Sequence, residues 1–276
     1  METCLLAGIL GLVLLEFRDG SFRRGWRGDG RRFRRNLGFL IASLVVAVVL
    51  KRINLLVQGR TTAAWMDWGR WRAAEVPACF LAAELLGWLL HYVKHRNGFL
   101  WQFHFQHHRE SRYDIWLTTH THGLEVVASG AILAVILRLL GFSLPAIEIY
   151  LVFYSFMKVF QHSAHPYSLG VFDRILITPA YHRRHHEVES RCNYGITLTL
   201  YDVLFGTARW PSPRSLENRA PLGVRSDERL PFGFWKEMGY FLTGPKHAPH
   251  REGPGRGSWL GSPRRDPVSP RPFPRA

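Results

Sequence analysis

HYVKHRNGFLWQFHFQHH, residues 91–108, is the stretch on which the fold turns. An apolar run from Val76 to Leu90 leads straight into it. If that run is helical and continues, His91 and His95 stand one turn apart and project from one face. His104, His107 and His108 follow as H-x2-HH, in which positions i, i+3 and i+4 share a helical stripe. The same triplet returns at His182, His185 and His186. Of 14 histidines, all but His247 and His250 lie between His91 and His186, so 12 fall in about a third of the chain.

This spacing lets one helical element supply ligands to two neighbouring ions. Imidazole suits Fe, Zn, Cu and Ni, whereas a cluster poor in carboxylates disfavours Mg and Ca. The pair and the two triplets offer more nitrogens than one ion uses, so two ions with about four to five ligands each are the economical assignment. Hydrolysis of the HExxH type needs a Glu beside the first His as general base, and Phe105 and Arg183 occupy those places. Cys4, Cys79 and Cys192 are far apart and form no CxxC motif, so nitrogen or oxygen must hold any metal.

Outward from the histidines, apolar runs alternate with basic connections. Val126–Leu140 and Ala146–Phe160 are split by Gly141 and Pro145 into a hairpin. Upstream, LGFLIASLVVAVVL begins at Leu37 and continues past Lys51 and Arg52, whose long side chains can snorkel. Thr3–Phe17 is apolar and follows Glu2 rather than a basic segment, which reads as a retained anchor helix. Several runs fall short of the ~20 residues of a membrane helix. The mean hydropathy is only −0.08. That low average comes from the basic first loop, the histidine segments and the tail, which dilute the apolar blocks. A soluble helical bundle is the competing architecture.

The net charge of +15 would suggest nucleic acid in a soluble protein, but 47% of the residues are hydrophobic and occur in blocks. With neither zinc-finger spacing nor an RNP-like string present, a membrane surface is the better partner and nucleic acid is not expected. Arg18–Arg35 holds eight arginines and is expected on the cytoplasmic side. Counting spans from there returns His91 and everything after His162 to that same side. The short loop with Arg60, Arg70 and Arg72 would then be external despite its charge. The parts expected are an anchor region with a basic loop (1–75), a catalytic domain (76–210) and a Pro/Arg-rich tail (211–276), disordered from Lys246 on. The aromatics of Pro231–Leu242 would lie on the protein or on the membrane. GPGRGS sits in that tail rather than after a strand, so it is no nucleotide site.

The strings RRFRRNLGF, HYVKHRNGFLWQFHFQHH, THTHGLE, FQHSAH, ILITPAYHRRHH, NYG and YDVLFGT, spread over roughly Arg32 to Arg209, together resemble the fatty acid hydroxylase and sterol desaturase superfamily of membrane di-iron oxygenases. The resemblance implies an all-α integral membrane bundle of about four to five membrane helices, with a cytoplasmic-side helical cap carrying the histidines. It implies His91, His95, His104, His107, His108, His162, His182, His185 and His186 as metal ligands, with His165 as a tenth. His122 falls on a family histidine and is assigned to the pocket wall or to a supporting role. Asp114, Glu125, Asn193 and Asp202 lie in the matching strings and are the candidates for orienting the imidazoles. Glu84, an acid inside an apolar run, is expected to face a polar interior. His120, Gly123, Ala164 and Tyr201 depart from the family pattern, and the departures bear on the substrate pocket rather than on the metal shell.

The implied chemistry is hydroxylation of a lipid or sterol-like C–H bond by O2 at two non-haem Fe ions, with Zn a possible substitute in purified protein. Desaturation at the same site is the near alternative; a non-catalytic membrane metal carrier and a basic membrane scaffold are the distant ones. No cysteine set for an iron–sulfur cluster is present, so electrons are expected from a separate donor, a ferredoxin, a cytochrome b5-like protein or a reductase.

Overall fold

Asn97 turns the chain between the first two histidine elements. Its Oδ1 accepts the backbone N–H of Phe99 at 3.0 Å and of Leu100 at 3.1 Å, while its own N–H donates to the Val93 carbonyl. One residue thus ends the helix before it and caps the helix after it.

The structure, a computed structural model, describes residues 10–11, 13–18, 30–58, 66–167, 169–188, 190–211, 216–217, 220–224 and 232–243. Its helices are α1 (Gly30–Gln58), α2 (Arg72–Arg96), α3 (Gly98–His108), α4 (Gly123–Leu139), α5 (Leu144–Gln161), α6 (Pro179–His185), α7 (Leu200–Leu204), α8 (Phe234–Met238) and α9 (Tyr240–Thr243). Among the described residues there is no strand, only isolated bridges of Leu176 with Leu198 and Glu187 with Leu222. The all-helical expectation therefore holds.

α2, α4 and α5 pack on one another and give the molecule two unlike poles. At one pole Cys79, Ala83, Leu137, Phe142, Ala146, Ile147 and Tyr150 form an apolar core. The α4–α5 hairpin closes there through Gly141, whose φ of 85° is the left-handed conformation a glycine adopts without strain after a helix. Ser143 caps α5, and Trp68 stacks on Phe142 with ring centroids 4.9 Å apart. At the other pole the C-termini of α2 and α5 meet the N-terminus of α4, with α3 and α6 beside them. α1 packs along α4, close enough that a Cβ on Gly130 would stand 2.7 Å from Leu50.

Phe33–Leu50 and Gly69–Arg96 are long and apolar enough to cross a membrane, each with only 22% of its window buried. Leu81, Leu85, Leu89 and Val93 form an exposed stripe on α2, and Ile41, Leu44, Val45, Val48 and Val49 are exposed on α1. Apolar surface of this extent is what lipid tails cover. Among the described residues two helices meet this measure, against the four to five expected from sequence; α4 is shorter, at 17 residues, and α5 carries Glu148 and Lys158.

The anchor expected at Thr3–Phe17 is described from residue 10, and that part is helical. Residues 19–29, Trp65, Pro231 and the tail from Lys246 lie outside the described residues. Residues 232–243 pack on the protein: the Phe234 ring meets Phe39 edge-on at 5.2 Å, and Glu237 lies 3.6 Å from both Arg35 and Arg109. A second piece of this region reaches the histidine pole, where Gly223 donates to the His186 carbonyl at 3.2 Å.

Candidate metal centre

The end of α2 supplies His91 and His95, α3 supplies His104, His107 and His108, the residue capping α5 is His162, and α6 with its cap supplies His182, His185 and His186. All nine are buried. They fall into a group of five (His91, His95, His104, His108, His185) and a group of four (His107, His162, His182, His186), with ligand atoms in each group within 4.8 Å of one another. Each H-x2-HH triplet is shared between the groups. On α3 the i and i+4 residues join the five and the i+3 residue joins the four; on α6 the assignment is reversed. His108 and His186 stack at 4.3 Å where the groups meet.

The nitrogen spacing tests whether metal fits. His91 and His104 bring Nε2 atoms to 3.1 Å, His182 and His162 to 3.1 Å, His186 and His182 to 3.2 Å, and His162 and His107 to 3.3 Å. Nitrogens held ~2.0–2.1 Å from one ion stand roughly 2.9–3.4 Å from their neighbours. Two neutral imidazoles share only one proton in a contact, so rings converging this way cannot all satisfy each other. The buried Nε2 atoms of His108 and His185 have no hydrogen-bond partner among the described residues. The residues fit two nitrogen-ligated ions.

Burial also favours the neutral form, the one that binds metal, in His107, His108, His162, His182, His185 and His186. It pushes His107, His108, His182 and His186 well below the ordinary histidine range, and the nearest histidines of the cluster add to the shift. His162 and His185 are each brought down to about 3 by burial, opposed by their hydrogen bonds to the carbonyls of Lys158 and Cys192.

The outward nitrogens distinguish the groups. In the five, His91 Nδ1 donates to the Tyr194 carbonyl at 3.0 Å, His185 Nδ1 to the Cys192 carbonyl at 2.7 Å, and His104 Nδ1 to Glu125 Oε1 at 2.9 Å. Each bond fixes a tautomer and turns the Nε2 lone pair inward. In the four, only His162 is held this way, through the Lys158 carbonyl at 2.6 Å; Nδ1 of His107, His182 and His186 has no partner among the described residues.

Of the expected supporting residues, Glu125 touches a candidate ligand directly, and its Oε1 also accepts from Lys94 at 2.8 Å. Asn193 and Asp202 act one layer further out. Asn193, at φ 61°, donates to the Tyr181 and Arg209 carbonyls and accepts from the Arg209 N–H, which aligns its neighbours Cys192 and Tyr194. Asp202 is fully buried and accepts from Trp88, Tyr181, Thr207 and the N–H groups of Tyr194 and Gly195. Glu84 accepts from Tyr150, Thr197 and the Leu198 N–H.

Asp114 caps the turn at Ile115–Thr118, accepting the Trp116 N–H at 3.1 Å. His122 caps α4 and donates to the Met238 carbonyl at 3.1 Å, among Phe103 and Phe241. His165 stands outside both groups, with its ring beside Tyr167. His120 faces Asn36 of α1 at 2.8 Å.

Two participants were not read from the sequence. Lys94 is one, since nothing in HYVKH says that its ammonium will meet Glu125. Glu16 is the other: it is buried, and it accepts the N–H groups of Ala164 at 2.6 Å and Ile115 at 3.3 Å, beside the four-histidine group. The signal applied to Glu84, an acid inside an apolar run, would have found it.

A cavity of about 230 Å³ opens against both groups. His91 and His104 of the five and His107, His162 and His182 of the four line it, together with the apolar Leu50, Leu90, Val126, Leu133, Leu151 and Ile196 and the polar Lys94, Glu125, Lys158 and Gln161.

Comparison with known proteins agrees with this picture. The fatty acid hydroxylase family matches residues 76–207. An ornithine lipid hydroxylase from Rhizobium tropici is 30% identical over 151 residues, 53% of this chain and 45% of its own length. An alkylglycerol monooxygenase from Caenorhabditis elegans is 28% identical over 166 residues, 54% of this chain and 32% of its own. The chain thus spans less than half the length of either relative. No solved structure matches it.

Proposed function

From the premise that this chain belongs, through residues 76–207, to the fatty acid hydroxylase superfamily, we propose that it is a membrane-bound oxygenase that hydroxylates a C–H bond of a lipid. One observation carries the reading: two groups of buried histidines and a largely apolar cavity share a wall. A metal carrier needs ligands along a path across the bilayer, whereas these lie at one pole.

In this reading each group holds one iron ion, which supplies the means to activate O2 and oxidise an unactivated C–H bond. One oxygen atom enters the C–H bond, and the other leaves as water with two electrons and two protons from a separate donor protein. The chain's own contribution is geometric. Tyr194 and Cys192 carbonyls and Glu125 hold His91, His185 and His104 in one tautomer and orientation. The apolar cavity walls align an alkyl segment and keep water from the reacting carbon. In this reading the exposed apolar faces of α1 and α2 lie in lipid, and the α4–α5 hairpin dips into the same layer. The arginine-rich stretch of sequence at Arg18–Arg35 favours, in this reading, the cytoplasmic side for the histidine pole, where an acidic donor can dock.

The test is expression in a membrane with a compatible electron donor, followed by lipid mass spectrometry against a His185→Ala control. Gain of one oxygen atom by a lipid supports hydroxylation, and loss of two hydrogens makes the protein a desaturase. Neither change across lipid classes, with iron and reductant supplied, refutes the oxygenase reading.

A further inference from the structure

Building on the oxygenase reading, we propose that Lys158 recognises an anionic group of the substrate, so that the lipid is an acidic one and is oxidised close to its polar end rather than far along its tail. One wall of the cavity is a single face of α5, on which Leu151, Tyr154, Lys158 and His162 recur at steps of three and four residues. Along this face the chemistry runs from apolar, through a hydroxyl and a cation, to a candidate metal ligand.

Lys158 differs from the other lysine in the cavity. The ammonium of Lys94 is neutralised by Glu125 at 2.8 Å. Lys158 is partly buried, and its Nζ makes no hydrogen bond or ion pair with any described residue. A cation taken partly out of water is costly unless something compensates it. Lys158 stands one turn from the end of α5 and contributes to the cavity wall.

A second group points the same way. Gln161 also lines the cavity, is 5% exposed, and its buried Oε1 has no partner among the described residues. A cation and a bare amide oxygen side by side suit a polar headgroup bearing an anionic oxygen and a donor, such as a phosphate or carboxylate next to a hydroxyl or amide. Lys158 and His162 lie one helical turn apart, about 6 Å of rise, so an anion on Lys158 leaves only a short segment of lipid between itself and the oxidised carbon.

The test measures binding without turnover. The purified full chain, with metal content checked, is titrated in neutral detergent with three probes of equal chain length: a lysophosphatidic acid, a fatty acid and a monoacylglycerol. The acidic probes should bind about tenfold tighter than the neutral one, the order of effect of a charge-assisted hydrogen bond. Lys158→Met should remove that preference and leave monoacylglycerol binding unchanged, while Lys158→Arg should keep it. Whichever acidic probe binds tighter identifies phosphate or carboxylate as the group. Equal binding of all three by the unaltered chain overturns the proposal, as does an acidic preference that survives Lys158→Met. Loss of binding of all three probes in both variants overturns it too, since Lys158 would then be structural. An acidic preference that follows Lys158 in a protein that oxidises no lipid upholds the recognition of an anionic lipid and sinks the oxygenase reading; oxidation indifferent to Lys158 does the reverse.

Discussion

The five-histidine and four-histidine groups draw on the same two triplets yet are held differently. In the five, three outward nitrogens end on fixed acceptors, two backbone carbonyls and one carboxylate. In the four, one does. A ring whose second nitrogen is bonded is oriented before metal arrives; a ring without that bond is oriented by the ion itself. Under the proposed function the difference assigns unequal tasks, with a preorganised site in the five and a more adjustable one in the four, and histidines of both groups line the cavity.

The largest expected effect removes one ligand from each group. His185→Ala and His182→Ala should both reduce lipid oxidation to background and should each retain one ion, but not the same one. His182→Ala keeps the ion of the five, while His185→Ala keeps only that of the four, so a chelator should strip the remaining ion sooner from His185→Ala. Equal resistance to the chelator in the two variants would erase the distinction between the groups.

Next in size is the loss of orientation without loss of a ligand. Glu125→Gln leaves His104 in place but removes the charged acceptor from its Nδ1, and should weaken metal binding in the five by about 10–100-fold. A chelator titration reads this directly. In the unaltered chain the four-histidine ion should leave first, and Glu125→Gln should narrow the gap or reverse the order.

A smaller effect lies one layer out. Asp202→Asn cannot accept all five donors that converge on the carboxylate, and should destabilise the fold by about 2–4 kcal/mol in a denaturant melt. Because Asp202 orients a carbonyl rather than a ring, metal content of the folded protein should change little.

The smallest effect is a pH dependence of the metal-free chain. Burial holds His162 and His185 at about 3 in the folded protein against an ordinary 6.5. As pH falls through 6.5 the unfolded chain takes up these protons, and the folded chain does so only near 3. Between those values the unfolded state binds more protons, so stability declines as the solution is acidified and is fully present above 6.5. Thermal melting should therefore fall between about pH 7 and about pH 5, and a melting temperature that rises over this interval would contradict the burial assigned to the rings.

Histidine spacing made the cluster legible because i, i+3 and i+4 are geometric facts of any helix. The partition was not legible: that His107 and His185 each cross to the opposite group depends on how α3 and α6 face each other, which Asn97 and Pro179 begin to set and tertiary packing completes. The helical class followed from the apolar runs. The number of membrane helices did not, because α4 and α5 bury parts of their surface against α2 and so carry a mixed pattern. Glu125 was named through a matching string, but the acceptors for His91 and His185 are backbone carbonyls, which no side chain announces. The same limit explains Asp114 and His122, whose polar atoms serve as helix caps.

The most direct measurement is the iron stoichiometry of full-length protein purified without oxygen after iron loading. Two ions per chain, falling to one in His182→Ala, is the predicted result. One ion per chain in the unaltered protein would contradict the assignment of a separate ion to each histidine group.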